Sequence, residues 1–426
     1  MAAVLLTARE GQAQQQLGPV SGGVVTSTAK PLSPENGVRL GDGALLHAGV
    51  GVEAGYDSNV FYNDSDRAAS AVLRVTPFME LTNTSRNGEV PSGLFYDLRA
   101  LVLYREYFSD QPDVTRLRSF SPTVNAAVEH NSRGSLAVGA TEIYTRAEDA
   151  PYTRGTTEQL IIRNNNTATA QLRWAPGGGR LQGLVRYTNT IDWFETDYLK
   201  PANAMGHEGM LDLSWRWLPK TALYLQLRQG YISYFNSDPG MTLSATQKSS
   251  SYPLRAVVGI RGLVTEKTSV ALALGYQNGF YSNGVNTGGF LGSTSAAAEV
   301  VYLPILSTRL SLGVRHDFQN SVIGNFYYSD GTYATASQQI SDRFVGQLWG
   351  SYDYRRYYGL PGAQDPRRDK FTQAGVILDY YLKTWAYAGV SYTLNVNRSD
   401  YMPMGNALAG VNYTKHQTFA RVGITY

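Results

Sequence analysis

From Ala44 to Tyr426 the apolar residues recur at every second position, in one segment after another of roughly 10 to 16 residues, a spacing that only strands produce. Leu46, Ala48, Val50, Val52, Ala54 and Tyr56 open the series with Glu53 on the other side. Leu94, Tyr96, Leu98, Ala100, Val102 and Tyr104 alternate with Asp97, Arg99 and Arg105, and Leu254, Ala256, Val258 and Ile260 with Arg255 and Arg261. Val376, Leu378, Tyr380 and Leu382 repeat the pattern against Gln373 and Asp379. A tilted strand of about 10 residues, greasy on one face and charged on the other, is long enough to cross a thin bilayer. No window reaches about 18 consecutive apolar residues, which excludes a membrane-spanning helix. A soluble solenoid or propeller would show a fixed-period repeat with a shared signature, and none is visible.

In lipid every strand edge must be paired, so such segments have to close into a ring. The expected fold is all-β: a transmembrane antiparallel up-and-down β-barrel. The connections alternate in length as that fold requires. Asn131 to Gly134, Ala175 to Gly179, Leu218 to Thr221, Thr265 to Thr268, Pro304 to Thr308 and Lys383 to Thr384 read as short turns. Ser58 to Ala69, Ser109 to Arg116, Ala147 to Glu158, Glu195 to His207, Asn236 to Ser251 and Ser282 to Ser293 read as long outer loops. The visible segments number seventeen, and an odd count would put the two ends on opposite sides. A weakly patterned strand is therefore expected between Asn320 and Ser337, around Ile323 to Tyr333, giving 18 strands; 16 results if a weak pair is an excursion into a loop. Trp174, Trp193, Trp215, Trp217 and Trp385 fall near segment ends, where an interfacial girdle belongs.

Ahead of the barrel, 1–13 has the apolar run and small residues of a signal-peptide remnant, and 14–43, with Pro19, Pro31 and Pro34, reads as an extended periplasmic segment; 44–426 is the barrel. The chain has no Cys, which removes disulfides, thiolate zinc sites, Cys nucleophiles and a lipoprotein anchor together. A net charge of +3 is too small to indicate a nucleic-acid partner. His47, His130, His207, His316 and His416 stand apart without metal-ligand spacing, so no cofactor, metal or catalytic residue is assigned and enzyme activity is not expected. Gly177 to Gly179 is a turn, since no helix follows it to make a phosphate loop.

If apolar parity faces lipid, the opposite parity faces the lumen. That assigns inward Arg74, Arg99, Arg105, Arg118, Arg173, Arg186, Arg216, Arg228, Arg255, Arg261, Arg309, Arg315, Arg343, Arg355 and Arg421. Among the acids it assigns Glu53, Glu80, Asp97, Glu129, Asp192, Asp212, Glu299, Asp317, Asp353 and Asp379. The guanidinium groups would line a path for anionic or hydroxyl-rich solutes; the blander alternative is that acids and bases on neighbouring strands brace the wall. Phe78, Tyr224 and Trp349 share the inward parity and are candidates for stacking on sugar rings, or for plain wall packing.

The last segment, Gln417 to Tyr426, ends on an aromatic ring with Val422, Ile424 and Tyr426 on one face. It resembles the C-terminal assembly signal of Gram-negative outer-membrane barrels, which implies a barrel assembly machinery as partner. The stretch Gly49-Val50-Gly51-Val52-Glu53-Ala54-Gly55-Tyr56-Asp57-Ser58-Asn59-Val60-Phe61, followed by Val75-Thr76-Pro77, resembles the first hairpin of the β-barrel porin 2 family, and beyond it length and architecture resemble exopolysaccharide-export barrels of myxobacterial type. Chemically, Asp57 and Asn59 are placed to bond backbone groups where the strand leaves the sheet. The resemblance implies a Gram-negative outer-membrane channel that translocates secreted exopolysaccharide, set in lipopolysaccharide and fed by a periplasmic polysaccharide co-polymerase or export protein. The alternatives are a general or solute-specific diffusion porin and an outer-membrane enzyme or surface adhesin.

Overall fold

The computed structural model describes residues 37–426 apart from 42, 65–66, 85–90, 155–156, 236–248, 283–291, 322–324, 359–366 and 401–411. The expected signal remnant and most of the lead-in lie outside the described residues. The strands are β1 (Val38–Leu40), β2 (Ala44–Asp57), β3 (Ser70–Thr82), β4 (Leu94–Phe108), β5 (Ser119–His130) and β6 (Leu136–Arg154). Then come β7 (Thr157–Trp174), β8 (Leu181–Phe194), β9 (Ala204–Leu218), β10 (Thr221–Tyr234), β11 (Leu254–Leu263), β12 (Thr268–Asn278) and β13 (Thr294–Tyr302). The series ends with β14 (Thr308–Asn320), β15 (Phe326–Ser341), β16 (Phe344–Tyr358), β17 (Arg367–Lys383), β18 (Ala386–Ser399) and β19 (Tyr413–Thr425). One turn of helix, α1 (Pro112–Thr115), sits between β4 and β5.

From β2 onward each strand pairs antiparallel with the next, and β19 pairs with β2 through Thr425↔Gly49 to Gln417↔Asp57, so the sheet closes as an up-and-down barrel of 18 strands. Tyr426 exchanges both backbone hydrogen bonds with Ala48, at 2.8 and 3.0 Å. Below that point β2 would have an open edge, and β1 covers it by pairing Val38 with Leu46 and Leu40 with Ala44. Closure therefore leaves no free backbone row at the seam.

The outer surface carries the apolar parity. Leu98, Val124, Val185, Leu213, Val258, Leu274, Leu312, Leu348 and Val390 are all exposed at mid-strand, where the solvent they face is acyl chain. Trp174, Trp215, Trp217, Trp385, Tyr302 and Tyr426 are exposed at the rim of short turns, as an aromatic girdle demands. A closed ring with an apolar belt, aromatic girdle, short turns at one rim and longer loops at the other is a transmembrane barrel of the Gram-negative outer membrane.

The eighteenth strand is β15, which begins at Phe326 inside the interval where the odd count placed it and runs past Ser337 to Ser341. Its outward positions are Thr332, Ala334 and Ala336 and its inward ones Ser329, Gly331 and Thr335, so no apolar stripe marks it. Two connections differ from expectation. Ala147 to Glu158 is no loop: β6 and β7 stay paired as far as Arg154↔Thr157, with a register shift between Asp149 and Tyr152. Backbone pairing continues there without the amphipathic pattern, because the hairpin rises past the bilayer. On the short-turn rim, 83–93 is longer than the other turns.

Candidate functional site: the lumen and its mouth

The inner wall is built from cross-strand pairs. Glu53 of β2 stands opposite Arg74 of β3, and their side chains meet at 3.4 Å. Other pairs reach across an intervening strand. Asp379 (β17), Gly389 (β18) and Arg421 (β19) lie in one row, and Asp379 Oδ1 comes within 3.3 Å of Arg421 Nε over the glycine. A Cβ at Gly389 would meet that oxygen at 2.3 Å, so the strand between must lack a side chain there. Arg315, Gly331 and Asp353 repeat the device on β14, β15 and β16, and Arg355 adds a second cation at 3.7 Å. Arg255 of β11 pairs with Asp317 of β14 across two strands.

A further set of arginines forms a row. Arg186, Met210, Arg228 and Arg255 occupy directly opposed positions on β8 to β11, with Arg228 facing Arg255. Arg186 donates to Gln171 and Arg228 to Gln226, at 3.1 and 2.9 Å, so neutral amides carry part of the load on this side of the wall. Arg99 shares a row with His47 and Glu80 near the short-turn rim, with Asp97 two residues before it on β4, and Arg74 stands opposite Arg105. Arg216 and Arg309 keep the inward parity close to the short turns, Arg261 donates to Ser214 at 3.4 Å, and Arg173 bonds the Ser132 carbonyl. Two residues lie elsewhere than parity alone assigned them. Arg343 sits in the two-residue turn before β16, because the hairpin needs those residues to reverse. Arg118 shares the parity of outward Phe120 and bonds Glu106 on the outer side of the long-loop rim.

The three sugar-stacking candidates have a common setting. Phe78, Tyr224 and Trp349 stand opposite Gly49, Gly259 and Gly375, and a Cβ on those glycines would meet ring atoms at 2.5, 2.4 and 2.6 Å. Tyr333 over Gly313, Tyr387 over Gly423 and Phe419 over Gly55 are the same arrangement. Each ring lies over the bare backbone of its partner, a pairing that braces a curved sheet. On the other side guanidinium groups approach: Arg99 is 5.6 Å from the Phe78 centroid, Arg261 5.3 Å from Tyr224 and Arg74 3.9 Å from Phe419. For a sugar to stack on Phe78 or Tyr224, the arginine has to move aside.

At the long-loop end the Tyr56-to-Phe61 stretch turns inward. Asn59 donates its side-chain amide to the carbonyls of Asn63 and Thr414, at 2.7 and 3.0 Å, and its backbone N–H to Asp57. Asp57 also accepts from Gln417 and from Lys415 Nζ, both at 2.8 Å. Lys415 lies 3.8 Å from the Tyr62 ring centroid, and the ion pair is buried, 3% and 1% exposed. With the turn so held, Val60, Phe61 and Ala68 pack on the inward side chains of Val72, Tyr107 and Phe419, and Val114 and Leu117 from the next loop close over them. The stretch thus anchors an apolar inset at the barrel mouth. Alternation could not reveal this, because the burial belongs to a loop folding back. Farther around, Phe194, Leu199 and Ala202 make a second inset. Arg163, Thr188, Asp192, Glu208 and Tyr234 line a cavity of about 270 Å³ beside it. In the loop above, Arg146 grips Glu195 at 2.8 and 2.9 Å and holds its carboxyl below the usual range, and Lys200 does the same for Asp197.

No family model matches the chain. No curated protein matches it either. Solved structures similar to it are outer-membrane proteins. The siderophore receptor PirA from Pseudomonas aeruginosa is 10% identical over 91% of this chain and 81% of its own, with a TM-score of 0.43. OccAB4 from Acinetobacter baumannii is 9% identical over 89% and 98%, at 0.45. OpdK from Pseudomonas aeruginosa is 9% identical over 89% and 98%, at 0.46. Likeness at this level carries nothing about what crosses the lumen; the barrel class rests on the closed sheet and its lipid-facing belt.

Proposed function

We propose that the barrel is a passive diffusion channel for small hydrophilic solutes, leaning toward anions, and that it works without catalysis or a cofactor. The observation that carries the reading is the arginine row Arg186, Arg228 and Arg255, in which two cations stand directly opposed on an inner wall. Like charges at that spacing repel, so the arrangement favours an anion held between them over a cation. Asp317 pairs with Arg255 and offsets one of the row's charges, which leaves the row with more cations than that carboxylate balances. The other ion pairs brace the wall, and the aromatic rings laid on glycines keep bulky side chains close to the sheet.

Export of secreted exopolysaccharide is the second reading, favoured by the first-hairpin resemblance at Gly49 to Phe61. In that case a periplasmic co-polymerase or export protein would dock on the short turns. Swelling of proteoliposomes in sugars and sugar acids of rising size separates the two, alongside surface polysaccharide in a strain lacking the gene. Uptake of small solutes with unchanged surface polysaccharide supports the diffusion channel; impermeable liposomes and lost surface polysaccharide would replace it with export.

A further inference from the structure

The outer wall has a local charge pattern that the lumen does not explain. On its lipid-facing parity, Tyr354, Lys370 and Arg398 lie in one row across β16, β17 and β18, and Arg356 and Arg368 face each other in the row above. Two pairs of cations thus stand directly opposed at the long-loop edge of the apolar belt. Like charges in such positions destabilise a sheet unless an anion sits between them. The protein supplies only part of it. Asp330 takes Arg356 at 3.1 Å and Asp400 takes Arg368 at 4.0 Å. Arg398 donates to the carbonyls of Tyr413 and Asn397 and to Thr414 Oγ1, which are neutral. Among the described residues no carboxylate stands within ion-pair distance of Lys370 or Arg398.

Immediately below, in the bilayer direction, the outward residues are Tyr352, Thr372 and Val396, then Gly350, Ala374 and Leu394, then Leu348, Val376 and Tyr392. Aromatic rings flank the cations, with Arg356 at 5.9 Å from the centroids of both Tyr328 and Tyr354. Near the same rim on β6 and β7 the outward parity carries Glu142, Tyr144, Asn164 and Asn166, hydrogen-bonded as Tyr144–Asn164 and Asn166–Glu142, and the cation beside them, Arg146, is matched by Glu195. Outward Arg118 and Arg146 elsewhere on this rim each have a carboxylate, Glu106 and Glu195, so Lys370 and Arg398 differ in facing each other without one, and they lie where acyl chains end and headgroups begin.

We propose that this face of β16 to β18 binds the phosphorylated headgroup of an outer-leaflet lipid, with Lys370 and Arg398 holding the phosphate and Tyr352, Val376 and Leu394 lying against its chains. The inference rests on the membrane setting and is independent of what the lumen passes. The test uses the full-length barrel in mild detergent, titrated with a bisphosphorylated glucosamine-based lipid, its dephosphorylated form and inorganic phosphate, with bound lipid read by native mass spectrometry. Replacing Lys370→Gln and Arg398→Gln together should weaken retention of the phosphorylated lipid by about tenfold or more, in line with the attraction of each cation near an anionic surface. Lys370→Arg with Arg398→Lys should restore it, and Arg116→Gln with Lys200→Gln, in other loops, should leave it unchanged. Channel conductance of the Gln pair should match the parent. Equal retention by the Gln pair, equal binding of the dephosphorylated lipid, displacement by inorganic phosphate at equal concentration, or altered conductance would each overturn the proposal.

Discussion

Arg315 Nη2 and Asp353 Oδ1 lie 2.8 Å apart although an entire strand, β15, runs between theirs. The contact exists because the residue opposite both is Gly331, where a Cβ would meet Asp353 Oδ1 at 2.5 Å and Arg315 Nε at 3.0 Å. Ser329 donates to the same oxygen at 2.9 Å, so the carboxylate is fixed from three strands.

Gly331→Ala is expected to push the two side chains apart and to lower barrel stability by about 1–3 kcal/mol, the usual range for overpacking a filled site. Urea unfolding of the folded barrel measures this. An unchanged midpoint would mean that the pair can form beside the glycine rather than over it.

Asp57→Asn leaves Lys415 buried without its counter-charge, beside Tyr62 and the seam between β19 and β2. Breaking a buried pair from one side costs about 3–5 kcal/mol. The variant is expected to lose its heat-resistant folded band on gels at a lower temperature than the parent. Pairing Asp57→Asn with Lys415→Met should recover part of the loss, and a single variant as stable as the parent would remove the seam from the account.

Gly259→Ala places a methyl where the Tyr224 ring now lies, at 2.4 Å. The ring is expected to swing off the wall, taking Arg261 with it and lowering single-channel conductance. Adding Tyr224→Ala should restore the parent value. A Gly259→Ala channel with parental conductance would show that the ring leaves the path unaffected.

Much of the fold is legible in the sequence, for a physical reason: lipid on one side and polar groups on the other force strict alternation, and Leu254 to Arg261 or Leu310 to Arg315 display it plainly. β15 was reachable only through the parity of the strand count, since Thr332, Ala334 and Ala336 face lipid with small side chains. The inner wall was legible by parity but its pairing was not. Nothing in the spacing of Asp379 and Arg421 announces a contact over Gly389, because register between distant strands is set by the whole ring. The apolar inset built on Val60 and Phe61 was hidden for a different reason: a motif at a strand end can cap the strand or anchor a loop, and this one does both.

Glu195 gives the pH dependence of the outer loops. Its carboxyl is held below the ordinary value of 4.5 by Arg146, so the bond contributes above the unfolded-state value and is lost as pH falls through the depressed one. Because Glu195 is 42% exposed, the contribution is at most about 1 kcal/mol. Limited proteolysis in the 195–203 connection should accelerate as pH drops below that range, and Glu195→Gln should be cut equally fast at neutral and acidic pH. A parent whose cleavage does not respond to acid would contradict this.

Current through single barrels in a planar bilayer, under a potassium chloride gradient, bears most directly on the channel reading. The account predicts stable ohmic openings and a reversal potential displaced toward that of chloride, with the displacement reduced when Arg186, Arg228 and Arg255 are all replaced by Gln. A barrel that inserts but passes no current, or one that prefers potassium, would contradict it.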